Sequence, residues 1–179
     1  MPSTRRIGAG WNYVEYDALG QDFSTRGKRM DEQIGLLRRL WTEELVSFEG
    51  RFDRIDRANL NPRPPRPIPL WIGGFSEPAF RRGGTLGDGY VFSGALDAIL
   101  PQWARVRHYL GGAGRDRDGF GSDWVMHGLE TPAQIAQALL RWEDAGGTHA
   151  SIVTMKRGLG TADAHIDFLK RVRDALRLG

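Results

Sequence analysis

Five short strand-like runs recur along the chain, each closed by glycine or a polar turn and each followed by a stretch with helical periodicity. Arg5-Arg6-Ile7 runs into Gly8-Ala9-Gly10-Trp11, and Ile68-Pro69-Leu70-Trp71-Ile72 ends in Gly73-Gly74. Tyr90-Val91-Phe92-Ser93 ends in Gly94, and two further runs cover residues 122–127 and 149–155. Where such runs are continuously apolar rather than alternating, they read as parallel strands buried on both faces. Strand and helix alternating five times predicts an α/β fold, a parallel sheet covered by helices. The right-handed crossover rule leaves two solutions, an open doubly wound sheet or part of a (β/α)8 barrel. In both, the loops after the strands carry the site.

The helices between the runs are legible from spacing and caps. Met30, Ile34, Leu37 and Trp41 lie on one helical face from about Arg26 to Thr42, with Ser24 or Thr25 as cap. Ser76-Glu77-Pro78 opens a short helix through Ala79, Phe80 and Arg82 that is expected to end near Gly83. Asp97 is the expected cap of a third helix carrying Ile99, Trp103, Val106 and Leu110, with a charged turn at residues 115–118 beyond it. Thr131-Pro132-Ala133-Gln134 is a capping box, and Thr161 caps a last helix. The segment from Trp11 to Phe23 reads as a polar-aromatic loop, and residues 48–55 as an extended excursion turning at Gly50. Prolines at 62, 64, 65 and 67 forbid helix there and predict a tether laid across the surface.

Composition closes off several classes. With 40% apolar residues there is enough for a core, and no apolar run approaches the ~18 residues of a membrane helix. No stretch after Met1 resembles a signal peptide, and there is no cysteine for disulfides, thiolate metal sites or nucleophilic catalysis, so a cytoplasmic protein is expected. Glycine is abundant, 24 of 179 residues, nearly twice the usual ~7%. Of 25 basic residues only Lys28, Lys156 and Lys170 are lysine, and the arginines are scattered among acids, which argues against nucleic-acid binding.

The candidate site therefore lies in the turns after the strands. Gly73-Gly74-Phe75-Ser76 before a proline-started helix can cradle a phosphate, because glycine lets a ligand approach the backbone and a helix N-terminus offers N–H groups. A tight strand–helix turn needs the same residues, so spacing leaves both readings open. Gly8-x-Gly10 lacks the third glycine of the dinucleotide fingerprint, and no phosphate-loop or nucleophile-elbow motif occurs. No histidine sits in a metal-binding pair. His127, at a strand end, is the weak candidate for a base or ligand contact, while His108 and His165 read as structural. Trp11 follows the first glycine turn and is held apart from the core tryptophans. Glu15 and Asp88 are carboxylates near strand ends, Asp88 reading as a turn cap.

Three stretches taken together resemble the bacterial luciferase-like monooxygenase family. They are Ile7-Gly8-Ala9-Gly10-Trp11 with Glu15 and the following helix, then Pro69-Leu70-Trp71-Ile72-Gly73-Gly74-Phe75-Ser76 with Gly87-Asp88-Gly89, then Gly128, Thr131-Pro132 and Ala145-Gly146-Gly147-Thr148. The resemblance implies part of a (β/α)8 barrel, family strands four to eight, in a single domain lacking the first strand–helix units. It implies a flavin- or deazaflavin-dependent oxidoreductase or monooxygenase, with FMN or a deazaflavin coenzyme as cofactor. By the same resemblance, Ile72, Gly73, Gly74 and Ser76 approach the cofactor phosphate, and Gly8, Ala9, Gly10 and Trp11 lie near its ribityl chain and ring. The alternative is a non-catalytic flavin- or phosphate-binding remnant. An incomplete barrel leaves two sheet edges open, near Ile7 and Ile152, and an inner face expected to carry Leu70, Ile72, Val91, Val125 and Ile152 or Val153. Both features predict a homo-oligomer.

Overall fold

The computed structural model describes residues 4–115, 118–128 and 131–177. In chain order come β1 (Arg5–Ile7), α1 (Tyr13–Ala18), α2 (Arg26–Thr42), β2 (Val46–Glu49) and β3 (Arg54–Ala58). Then follow β4 (Leu70–Gly73), α3 (Glu77–Leu86), β5 (Gly89–Gly94), α4 (Leu96–Gly112) and β6 (Gly121–Met126). The chain continues through α5 (Pro132–Asp144), β7 (His149–Ile152) and α6 (Ala162–Arg177). Five strands form one parallel sheet in the order β1-β4-β5-β6-β7, and β2 pairs antiparallel with β3 as a separate hairpin.

Strand order decides between the two architectures. It rises along the chain without reversing, so right-handed crossovers place every helix on the same side of the sheet. A doubly wound sheet needs a reversal, and this one has none. The sheet is also curved. Arg6 on β1 and Asp123 on β6 form an ion pair, 2.7 Å from Nη2 to Oδ2. In a flat sheet three strand spacings, roughly 14 Å, would separate them, farther than an arginine and an aspartate reach together. The fold is an arc of a (β/α)8 barrel with β1 and β7 as its edges.

Register and two-residue alternation assign the faces. Ile72 is aligned with Tyr90, and Phe92 with Trp124. With Leu70 and Met126 they point outward into the helix layer, meeting Ile99, Trp103, Val106, Ile135 and Trp142 in one buried core. Leu70 and Ile72 therefore do not belong to the inner face, contrary to the sequence expectation. Val91 pairs with Asp123, and Ser93 with Val125. The inner face carries these side chains together with Arg6, Trp71 and Ser151, and Asp123 accepts from Ser151 as well as Arg6. It is a mixed surface, not an apolar one.

Several local boundaries differ from the sequence reading. Gly83 and Gly84 do not end α3, which runs on to Leu86. They sit where other elements press closest. A Cβ on Gly83 would lie 2.3 Å from the Tyr90 ring, and one on Gly84 within 2.8 Å of the α4 backbone. Asp97 is not the cap of α4. Ala95 holds that position, and Asp97 sits in the first turn, paired with Arg141 at 2.7 Å. Residues 13–18 form α1 rather than loop, because Asn12 caps them by accepting from the Val14 N–H. The last strand stops at Ile152, short of the expected Met155. Two residues of the charged turn at 115–118 lie outside the described residues. Thr131 forms the expected capping box with Gln134, and α2 has the expected bounds.

Candidate functional site

The turns after β1 and β4 lie against each other on the C-terminal rim of the sheet. A Cβ on Gly8 would stand 3.5 Å from the Gly73 carbonyl oxygen, so the two glycine turns share one patch of bare backbone. Tyr16 on α1 donates to the Ala9 carbonyl at 2.5 Å and holds the first turn in place. Gly10 follows in the left-handed region, φ 74°. Trp11 projects from this turn 86% exposed, and Phe75 from the neighbouring one 72% exposed.

The second turn is fixed from below. Tyr90 donates to the Gly74 carbonyl at 2.9 Å. Burial pushes its phenol well above the ordinary range, outweighing the opposing pull of Arg82, so the hydroxyl remains a donor. Gly74 has φ 152°, and a Cβ there would come within 2.7 Å of the Ala79 Cβ. Ile72 turns its side chain into the helix layer and can offer a ligand only backbone.

Ser76 is the N-cap of α3, yet its hydroxyl makes no capping bond. Its carbonyl accepts from the Ala79 and Phe80 N–H groups at 2.9 and 3.0 Å. Pro78 has no N–H, so the Glu77 N–H and the Ser76 hydroxyl are what this helix start can offer an anion. The Glu77 carboxylate would oppose an anion but is engaged elsewhere. Tyr109 and Arg105 bond it and hold it below the usual carboxylate range. The two turns thus offer bare backbone, the Glu77 N–H and the Ser76 hydroxyl.

His127 stands on the same rim, at the end of β6. Its Nε2 lies 2.9 Å from the Ser93 hydroxyl on β5, a partnership the sequence reading did not find. It lines a cavity of about 760 Å3 with residues from the ends of β6 and β7, and Trp11 does not line that cavity. A larger cavity, about 950 Å3, opens at the opposite, N-terminal rim and is lined by Arg6, Trp71, Asp88 and His149. Asp88 is structural there, accepting from the Leu70 N–H and from Arg38. Glu15 accepts from Asn12 at the start of α1. Among the described residues no three His, Cys, Asp or Glu side chains gather as a metal site, and no helix is long and apolar enough to cross a membrane.

A singly wound, curved parallel sheet with its backbone bared at the C-terminal rim defines an arc of a (β/α)8 barrel. The chain belongs to the luciferase-like monooxygenase family, whose model matches residues 6–122. The Mycobacterium tuberculosis protein Rv0940c is 32% identical over 138 residues, covering 75% of this chain and 45% of its own length. An F420-dependent glucose-6-phosphate dehydrogenase of Intrasporangium calvum is 34% identical over 120 residues, covering 62% of this chain and 35% of its own. The structure of monooxygenase RslO1 from Streptomyces bottropensis superposes with a TM-score of 0.77 at 14% identity, over 98% of this chain and 68% of that one. The chain spans less than half the length of these two sequence relatives.

Proposed function

We propose that this chain forms the cofactor-binding part of a flavin- or deazaflavin-dependent oxidoreductase. The observation that carries the reading is the contact of the two glycine turns, Gly8 against Gly73, beside the uncommitted Ser76 hydroxyl. Gly73, Gly74 and Ser76 would hold the phosphate of FMN or of a deazaflavin coenzyme. Gly8, Ala9, Gly10 and Trp11 would lie along the rest of it. When bound, the cofactor supplies hydride transfer or oxygen chemistry, and the protein supplies position and polarity. Tyr90 and Tyr16 keep the two turns in register for it, and Arg105 keeps the Glu77 charge from opposing the phosphate. Family membership and the F420-dependent relative support this reading. Self-association through the β1 and β7 edges is part of it.

Adding FMN or a deazaflavin coenzyme to the purified protein should shift the visible spectrum of the cofactor. Gly74→Asp should abolish that shift, because a side chain there meets Ala79 and adds negative charge beside the phosphate. An unchanged spectrum with both cofactors would sink the proposal. A second reading is a cofactor-binding protein that does not turn over. It is favoured by the position of His127 on β6, separated by two intervening strands from the β1 turn. Turnover with reduced cofactor separates the two.

A further inference from the structure

The cavity at the ends of β6 and β7 has a charge pattern of its own. At about 760 Å3 it has the size of a small-molecule site. Val153 and Met155 give it apolar walls. His127, Lys156 and Arg157 line it, and no carboxylate does among the described residues. Arg157 is held in part by its Nε donating to the Val153 carbonyl at 2.8 Å and by its guanidinium lying 4.7 Å from the centre of the Phe168 ring. His127 is oriented by Ser93.

Lys156 is the unusual member. Its φ is 61°, in the left-handed region that side chains avoid and glycine enters freely. Gly128 and Gly158 adopt the same region nearby, at 80° and 69°. Glycine would satisfy the backbone at 156 equally well. What lysine adds is a positive charge on a residue that lines the cavity, and it has no ion-pair partner among the described residues. A left-handed backbone at a charged residue that lines a cavity is ground for a functional hypothesis.

We propose that this cavity binds a compact oxyanion, and that the anion is the phosphate or carboxylate group of the substrate. The substrate is then an acidic small molecule, anchored at β6 and β7 with its reactive end toward the glycine turns of β1 and β4. That the anion belongs to a substrate rests on the cofactor reading above; the anion site itself does not.

The test is a titration of the full chain with inorganic phosphate and, separately, with acetate, at constant ionic strength. Nuclear magnetic resonance reads the His127 side chain for this cavity and the Gly74 amide for the other turn. Saturable movement of the His127 signal is expected with at least one anion, and the tighter anion names the substrate class. Lys156→Gly should weaken that binding on the order of tenfold, the loss of one charged contact, while melting no lower than the parent because it relieves the backbone. Lys156→Arg should retain binding. A His127 signal silent to both anions, or an affinity unchanged in Lys156→Gly, overturns the proposal. Silence at His127 with a clear cofactor shift removes the anion site alone. Anion binding at His127 with no cofactor shift removes the cofactor reading and the substrate assignment, and leaves the anion site.

Discussion

Glu32 shows how one side chain can hold a whole segment. Its carboxylate, on α2, accepts from the N–H groups of Arg51, Phe52 and Asp53 at 2.7, 3.0 and 2.9 Å, and so closes the turn between β2 and β3. Desolvation raises its pKa, but these three bonds and the nearby Arg29 outweigh it, and the net shift is downward from the ordinary 4.5. A carboxylate with a depressed folded pKa stabilises above its unfolded pKa and loses that contribution as pH falls through the folded value. Glu32→Gln keeps one acceptor oxygen of two. It should lower Tm by a few degrees at pH 7 and by much less at a pH low enough to protonate the parent carboxylate as well. An equal loss at both pH values, read by thermal melts, would show that the charge is irrelevant. None of this was readable beforehand, since Glu32 and Arg51 are 19 residues apart and no periodicity joins them. The same holds for Ser93 with His127, and for Lys156, whose meaning lies in a backbone angle that its residue type argues against.

At the scale of elements, apolar spacing found α2 with its ends, although Thr25 makes no side-chain capping bond, and the capping box found the start of α5, because those signals are local. They missed α1, where Tyr13 and Tyr16 look like loop aromatics until Asn12 is seen to cap them. They stopped α3 early at Gly83, because a mid-helix glycine that makes room for a neighbouring ring looks the same in sequence as a stop. The faces of the strands were harder still. Both faces of β4 and β5 bear apolar residues, so only the pairing register shows that Ile72 joins Tyr90 and faces the helices. Three tryptophans knit that helix layer to the sheet. Trp142 lies 5.8, 6.1 and 6.3 Å from the rings of Phe92, Trp103 and Trp124, and its indole donates to the His149 carbonyl at 2.8 Å. Trp142→Ala should cost about 3–5 kcal/mol, roughly 10 °C in Tm at this size. A loss under ~1 kcal/mol by denaturant titration would mean that the cluster repacks around the gap.

For the whole molecule, the barrel class and the glycine rim were legible because the order of strand–helix units and the motif residues are linear features. Curvature was not, being a property of pairs such as Arg6 and Asp123. That pair also weakens the argument for a covered inner face, since a surface with Arg6, Asp123, Ser93 and Ser151 gains less from burial than an apolar one. The open edges remain, and they predict species larger than 20.0 kDa in light scattering at micromolar concentration; a clean monomer would refute self-association. The monotonic strand order has one more consequence. Each unit touches mainly the units before and after it, so the sheet is mechanically a strip that can fray from either end, much as a stacked repeat array does. Arg6 is the rivet that converts the strip into a closed loop of forces, tying the first strand to the fourth in spatial order. Arg6→Met should release β1 to fast amide exchange, leave β5 and β6 protected, and cost of the order of 1–3 kcal/mol through the unpaired Asp123. How far such an arc holds together therefore depends less on how many strands it has than on whether strands that are not neighbours are fastened across its concave face.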